Sequence, residues 1–374
     1  MAQLRIALAQ VNATVGDLDG NAGLIASWTA RAAEKGAHLV VFPEMVLTGY
    51  PVEDLALRES FASASKQALT ELAARLDADG LGSVAAVVSY LDRDAVGARD
   101  AVAVLYDGRV AATQFKHHLP NYGVFDERRL FKSGDTLDII RLHGLEIGMV
   151  ICEDIWQEGG PISALGAAGV DLVVSPNASP YERHKDDQRE PLVARRAAEA
   201  GAPLVYVNMV GGQDDLVFDG DSMVVSASGE LVTRLPQFVE HLTVMDLDLP
   251  GDAPTRAGDI EGFAVRRVTL SDAPLQPYPA LAAPDAFEPL SELEEMWRAL
   301  TLGLCDYVRK NGFTSVVLGF SGGIDSAVTA ALSVDALGAS NVLCAFSVAA
   351  VSNRPETFDA FAPFNSASIS IAFS

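Results

Sequence analysis

The sequence predicts a layered α/β protein with a second α/β unit appended, and three observations carry that expectation. Short apolar runs bounded by turn residues recur through the first 250 residues, Ala-rich helical stretches separate some of them, and a proline-rich break precedes a fresh strand-helix-strand pattern. Fully buried strands read as continuous apolar runs rather than as alternating ones, and strands interleaved with helices build layered sheets.

The apolar runs fall at 4–10, 39–42, 84–89, 101–106, 148–151, 172–175, 204–208 and 223–226, and the helical stretches at 21–36, 58–78 and 191–200. Hairpin turns are expected at Asp107-Gly108 and Ser228-Gly229, which makes the sheet mixed. From 269 to 290 the chain reads TLSDAPLQPYPALAAPDAFEPL, with Pro274, Pro277, Pro279, Pro284 and Pro289 and no periodicity. Proline fixes φ and removes a donor, so this stretch is expected to be an extended linker between a domain at 1–268 and a unit at 291–374. In that unit Ser291 and Glu294 are expected to form a capping box for a helix ending near Asn311-Gly312. A strand at 315–320, a Gly-rich turn, a helix stopped by Gly338 and a strand at 341–345 follow.

Fifty Asp and Glu against 27 Lys and Arg give a formal charge of −23. Such a field repels phosphate backbones and anionic bilayers, so neither nucleic acid nor a membrane is an expected partner. An apolar content of 49% with 21% charged residues excludes a largely disordered chain. Cys152, Cys305 and Cys344 are too few for a disulfide framework, and the N-terminal stretch lacks the long apolar run of a secretion signal, which together point to the cytoplasm. The six histidines show no HExxH spacing, so no metal site is expected from them.

Three runs end in residues with chemistry. Glu44 closes LVVFPE, Lys116 closes TQFK, and Cys152 follows the strand in GMVICEDIW. Open α/β sheets build sites at the carboxyl ends of their strands, and a thiol delivered there with a carboxylate and an ammonium suits a nucleophile. FPEMVLTGYP, KHHLPNYGVFDERRLF and VICEDIW, in that order, resemble the three catalytic segments of the nitrilase, or carbon–nitrogen hydrolase, superfamily. LPNYGVFDE with NASPYERHK resembles more narrowly the glutaminase domain of the glutamine-dependent NAD synthetase family. The resemblance covers roughly 1–270 and implies an αββα sandwich in which Glu44 is general base, Cys152 nucleophile and Lys116 electrostatic stabiliser. It also implies that Glu127 supports the triad and that Tyr122, Ser179 and Lys185 bind glutamine. A nearby ammonium is expected to favour the thiolate.

LGFSGGIDS follows the strand SVVLGF and opens a helix, where backbone N–H groups can hold a phosphate. It resembles the pyrophosphate loop of ATP-pyrophosphatases, so Gly319, Phe320, Ser321, Gly322, Gly323, Ile324, Asp325 and Ser326 are candidate ATP-binding residues. The family resemblance implies a Rossmann-like second domain. There ATP and Mg²⁺ activate nicotinic acid adenine dinucleotide, and ammonia released from glutamine completes NAD, in a homo-oligomer. Only 48 residues follow Ser326, room for about one more strand and crossover, and from about 348 the chain departs from the family pattern. The tail is expected to be disordered or misfolded, and the synthetase half incomplete. A stand-alone glutamine or omega-amide hydrolase, and an inactive fragment that assembles with intact subunits, stay open as alternatives.

Overall fold

The computed structural model describes residues 2–251, 255–256, 258–346 and 361–363. They divide into two compact units: residues up to 211 with 218–289, and residues 212–217 with those from 290 onward.

In chain order the first unit opens with β1 (Ala2–Gln10), α1 (Leu18–Glu34), β2 (Leu39–Val41), α2 (Glu59–Ala78), β3 (Ala85–Arg93), β4 (Ala98–Tyr106) and β5 (Arg109–Phe115). It continues through α3 (Glu127–Leu130), β6 (Thr136–Leu142), β7 (Leu145–Met149), α4 (Pro161–Ala168), β8 (Leu172–Asn177), α5 (Asp186–Ala200) and β9 (Leu204–Asn208). A hairpin of β10 (Val210–Gln213) and β11 (Leu216–Asp219) is followed by β12 (Met223–Val225), β13 (Leu231–Arg234), β14 (His241–Leu249), β15 (Gly258–Ile260) and β16 (Phe263–Ser271).

Two mixed sheets result, ordered β14-β1-β2-β3-β4-β5 and β13-β12-β9-β8-β7-β6-β16-β15. Three buried clusters define four layers. Leu4, Ile6, Val41 and Val87 of one sheet meet Ile140, Ile147, Val174 and Val205 of the other. Ile25, Trp28, Leu69 and Leu72 of α1 and α2 cover the first sheet, and Leu165, Leu192, Val193 and Ala197 of α4 and α5 cover the second. Each fully buried Leu, Ile or Val contributes about 1.5–3 kcal/mol, so the continuous apolar strands hold the two sheets face to face. The Asp107-Gly108 turn forms as expected, both residues having positive φ (51° and 71°), which matches the twist of the β4-β5 pair.

The chain after β16 has no regular structure up to Ser291, and it lies along the first unit. Tyr278 donates to the Gln3 carbonyl (3.0 Å), Leu281 N–H donates to Asp246 (2.8 Å) and Phe287 N–H donates to the Arg234 carbonyl (3.1 Å). β16 itself runs through Ser271, inside the stretch expected as linker, because it pairs in parallel with β6.

The second unit holds α6 (Glu292–Lys310), β17 (Val316–Phe320), α7 (Ile324–Leu337), β18 (Val342–Phe346) and β19 (Phe361–Pro363). β17 and β18 are parallel, and Val308, Ala330, Leu337 and Cys344 form the core of this unit. Ser291 does begin α6, but its side chain makes no capping bond. Glu292, Glu294 and Glu295 in the first turn and Arg309 and Lys310 in the last complement the helix dipole instead. Of the tail expected to be unstructured, 361–363 pair antiparallel with β18, so the expectation fails there; the rest lies outside the described residues.

Candidate active site

Glu44 lies just beyond β2, Lys116 just beyond β5, and Cys152 at the start of a single 3-10 turn that follows β7. Their positions are fixed by the backbone: Glu44 N–H donates to the Asn177 carbonyl (3.3 Å) and Lys116 N–H to the Asp100 carbonyl (2.9 Å). Cys152 has φ +40°, a left-handed conformation that costs a non-glycine residue about 1–3 kcal/mol and that recurs where a nucleophile is presented on a sharp turn. Asp154 braces this turn, accepting from Ile151 N–H (3.0 Å) on one oxygen and from His117 and His118 N–H (3.2 and 2.8 Å) on the other. One buried carboxylate therefore ties the segment after Lys116 to the segment that carries the thiol.

The Lys116 ammonium is 1% exposed and sits among three buried carboxyls, 2.7 Å from Glu44 Oε1, 2.8 Å from Glu127 Oε2 and 3.4 Å from Asp100 Oδ2. Oxygens of Glu44, Asp100 and Glu127 converge within 4.8 Å of one another, a spacing that suits a metal ion, and the ammonium takes a cation's place among them. Glu44 Oε2 accepts Ala178 N–H (2.8 Å), and Tyr50 donates to Glu127 Oε1 (3.0 Å). All three expected residues and the supporting Glu127 thus meet in one buried cluster. Asp100 and Tyr50 belong to it too, and sequence reasoning missed both.

Burial pushes the Cys152 thiol well up, and the Glu44 charge adds to that; the Lys116 ammonium and the Ala178 N–H oppose it without prevailing. Burial therefore favours a neutral resting thiol, while the ammonium favours the thiolate as expected, its pull outweighed by burial and by the Glu44 charge.

Glu127 is pushed up to about 7, chiefly by burial, with Lys116 opposing and Glu44 adding. A carboxyl whose folded value lies above its ordinary 4.5 contributes stability at low pH that is lost as the pH rises to about 7. Glu127→Gln removes that titration, so the variant is expected to gain stability relative to wild type between pH 4.5 and 7. Urea denaturation at pH 5 and pH 8 checks this; a difference that stays constant with pH would contradict it.

A cavity of about 220 Å³ opens onto Cys152 and is lined by Tyr122, Glu153, Trp156, Ser179 and Lys185, among others. The three expected binding residues therefore do share one space with the thiol. Tyr122 donates to Glu153 Oε2 (2.8 Å), and Lys185 lies 5.7 Å from the centre of the Trp156 ring and donates to Glu182 (3.1 Å). Ser179 is held through its backbone, its N–H donating to Asn208 Oδ1 (2.9 Å) and its carbonyl accepting from Asn208 Nδ2 (3.1 Å). Asn208 in turn donates to Asp219 (3.3 Å), which pairs with the fully buried Arg189 (2.9 Å). Glu153, adjacent to the nucleophile, was legible only as part of VICEDIW. A larger cavity of about 580 Å³ lies between Lys66, Tyr90, Arg99 and Arg266, and these cations are already paired: Lys66 with Asp92, Arg99 with Asp94 and Arg266 with Asp138.

In the second unit the exposed turn 321–323 joins β17 to α7. Gly322 has φ +83° with open space around it, whereas Gly323 has φ −81° and serves as the N-cap of α7. Of the two glycines only Gly322 is required by backbone conformation. Ser326 Oγ donates to the Gly323 carbonyl (2.9 Å) and lies 3.2 Å from Ser321 Oγ, which shapes the turn.

A four-layer sandwich with a buried thiol, carboxylate and ammonium at its strand ends is the fold of thiol-dependent amide hydrolases. Residues 5–257 match the carbon-nitrogen hydrolase family model, and the chain belongs to that family. Residues 296–370 match the NAD synthase model. The glutamine-dependent NAD(+) synthetase of Rhodobacter capsulatus is 44% identical over 91% of this chain and 56% of its own length. The structure of the Acinetobacter baumannii glutamine-dependent NAD+ synthetase, solved with ADP, superposes with a TM-score of 0.75 at 33% identity, covering 92% of this chain and 59% of that one. An amidase of the nitrilase superfamily from Nesterenkonia AN1 superposes with a TM-score of 0.58 at 28% identity, covering 65% of this chain and 90% of the amidase. The chain spans somewhat more than half the length of the synthetases it matches. No described helix is long and apolar enough to cross a membrane.

Proposed function

We propose that the first unit hydrolyses glutamine to glutamate and ammonia, and that the second unit carries the ATP-binding loop of a glutamine-dependent NAD synthetase. The observation that carries the reading is the Cys152 cavity, which places a carboxylate, Glu153, and an ammonium, Lys185, beside the thiol. A free amino-acid amide is a zwitterion, and it needs an acceptor for its ammonium and a donor for its carboxylate. A simple aliphatic amide needs neither.

In this reading Glu44 takes the thiol proton as the Cys152 sulfur bonds to the amide carbon. The carbonyl π electrons move onto oxygen, where the Lys116 ammonium stabilises them. The C–N bond then breaks as Glu44 returns the proton to nitrogen, releasing ammonia and leaving a thioester. Water attacks the thioester with Glu44 again as base, the C–S bond breaks, and the thiolate regains a proton with glutamate free. A neutral resting thiol fits this sequence, because the proton must be available to the leaving nitrogen.

For the second unit, ATP as its magnesium complex is the substrate the loop would hold, with nicotinic acid adenine dinucleotide as acceptor and a homo-oligomer as assembly state. Exposed backbone at 321–323, the N-terminus of the 14-residue α7 and the carboxylate of Asp325 suit phosphate and magnesium. The cytoplasm is the proposed compartment.

Two assays test the reading. Glutamine is expected to be hydrolysed at least about 100-fold faster, in kcat/KM, than propionamide, since two charged contacts at about 1.5–3 kcal/mol each distinguish them; equal rates would favour a general amidase. ATP with Mg²⁺ is expected to bind in the millimolar range, about −4 kcal/mol, and more weakly to Gly322→Val. Micromolar binding that ignores this substitution would place the nucleotide elsewhere.

A further inference from the structure

The cluster around Lys116 holds one carboxyl more than its chemistry uses. Asp100 lies in β4, and the charges of Glu44, Lys116 and Glu127 all act on it. Its side chain is 0% exposed and its nearest cation, Lys116 Nζ, is 3.4 Å away, beyond the usual 2.7–3.2 Å of an N–H···O bond. Neither Asp100 oxygen accepts a hydrogen bond from a protein donor among the described residues. Lys116 directs its short contacts to Glu44 and Glu127.

An ionised carboxylate that is buried and accepts no hydrogen bond from the protein is not sustained beside two others. Three carboxylates whose oxygens meet within 4.8 Å around one ammonium would carry a net charge of −2 if all ionised. Like charges at this spacing resolve by retaining a proton. We infer that Asp100 is a protonated carboxylic acid at neutral pH and donates its proton in a hydrogen bond to Glu44, making it a positioning residue for the general base. Burial, the charges of Glu44 and Glu127, and the closeness of the Glu44 side chain all favour the neutral acid, and only Lys116 opposes it.

Glu44 then receives three donors: the Asp100 hydroxyl, the Lys116 ammonium and the Ala178 N–H. They hold its carboxylate in place beside the ammonium. Asp100 touches neither thiol nor substrate cavity, so its effect falls on kcat rather than on KM.

The kinetic part of the test rests on the glutaminase reading, and the spectroscopic part does not. Infrared difference spectra of wild type minus Asp100→Asn at pH 7.5 are expected to show a protonated-carboxyl C=O band that belongs to Asp100. An ionised-carboxylate band in its place would overturn the inference, whether or not glutamine is turned over. In the pH-rate profile Asp100→Asn, whose amide can still donate to Glu44, is expected to retain about a third or more of kcat with the acid limb in place. Asp100→Ala is expected to lose about tenfold or more in kcat, with the acid limb displaced and KM within about twofold. Equal losses in both variants would show Asp100 acting as an ionised counter-charge to Lys116, and the Asn variant alone decides the matter should the Ala variant not fold.

Discussion

Cys152→Ala is expected to abolish glutamine hydrolysis, with a loss in kcat on the order of 10⁵, the scale seen when a covalent nucleophile is removed. The loss follows from the place of the thiols: the cavity that holds Tyr122, Ser179 and Lys185 contains Cys152, while Cys305 lies on α6 and Cys344 on β18, in the second unit. The same substitution at Cys305 is expected to leave the rate within about twofold. Side-chain truncation at Cys152 creates little strain, since alanine fills less of a site that the structure already holds at φ +40° by its flanking bonds. Thermal melting near the wild-type value would confirm that chemistry rather than folding was lost.

Lys116→Met is expected to have the largest effect on stability as well as removing activity. It leaves Glu44, Asp100 and Glu127 buried around a missing charge, and breaking a buried pair in this way costs about 3–5 kcal/mol. The pH dependence follows from the direction of the neighbouring shifts. Asp100 is already raised by burial and by the charges of Glu44 and Glu127 in the presence of the ammonium, and Glu127 by burial and the charge of Glu44; both rise further without it. Carboxyls raised in the folded state contribute stability at low pH that disappears as the pH climbs through their folded values. The deficit of Lys116→Met should therefore be largest above pH 7 and shrink toward pH 5, which denaturant titrations at the two extremes measure. A deficit that grows on acidification would contradict the charge arrangement.

The triad was legible because each member ends a strand in a long, ordered motif, and the strand ends alone said where a site would be. Asp100 was not, since in ARDAVAVLY it reads as one of two adjacent charges at the start of an apolar strand, and its role arises only when β5 pairs with β4 and brings Lys116 alongside. β6 and β16 escaped notice for a related reason. TLDIIRL and FAVRRVTLS carry charges at positions where an apolar run would be expected, and those charges find partners far along the chain: Arg266 pairs with Asp138 (2.7 Å), Arg267 with Glu146 and Arg141 with Asp272 (2.7 Å). Contacts between residues more than a hundred positions apart leave no local periodicity. The start of α5 was missed because Pro191 reads as a helix boundary, yet the helix begins at Asp186 and carries Pro191 inside it.

The central claim is that Cys152 forms a covalent acyl-enzyme with glutamine. Acid quenching during turnover, followed by peptide mass spectrometry of the intact chain's three cysteines, tests it most directly. A γ-glutamyl adduct is expected on Cys152 and on neither Cys305 nor Cys344. Sustained glutamine hydrolysis by Cys152→Ala, or an adduct on Cys305 in its place, would contradict it.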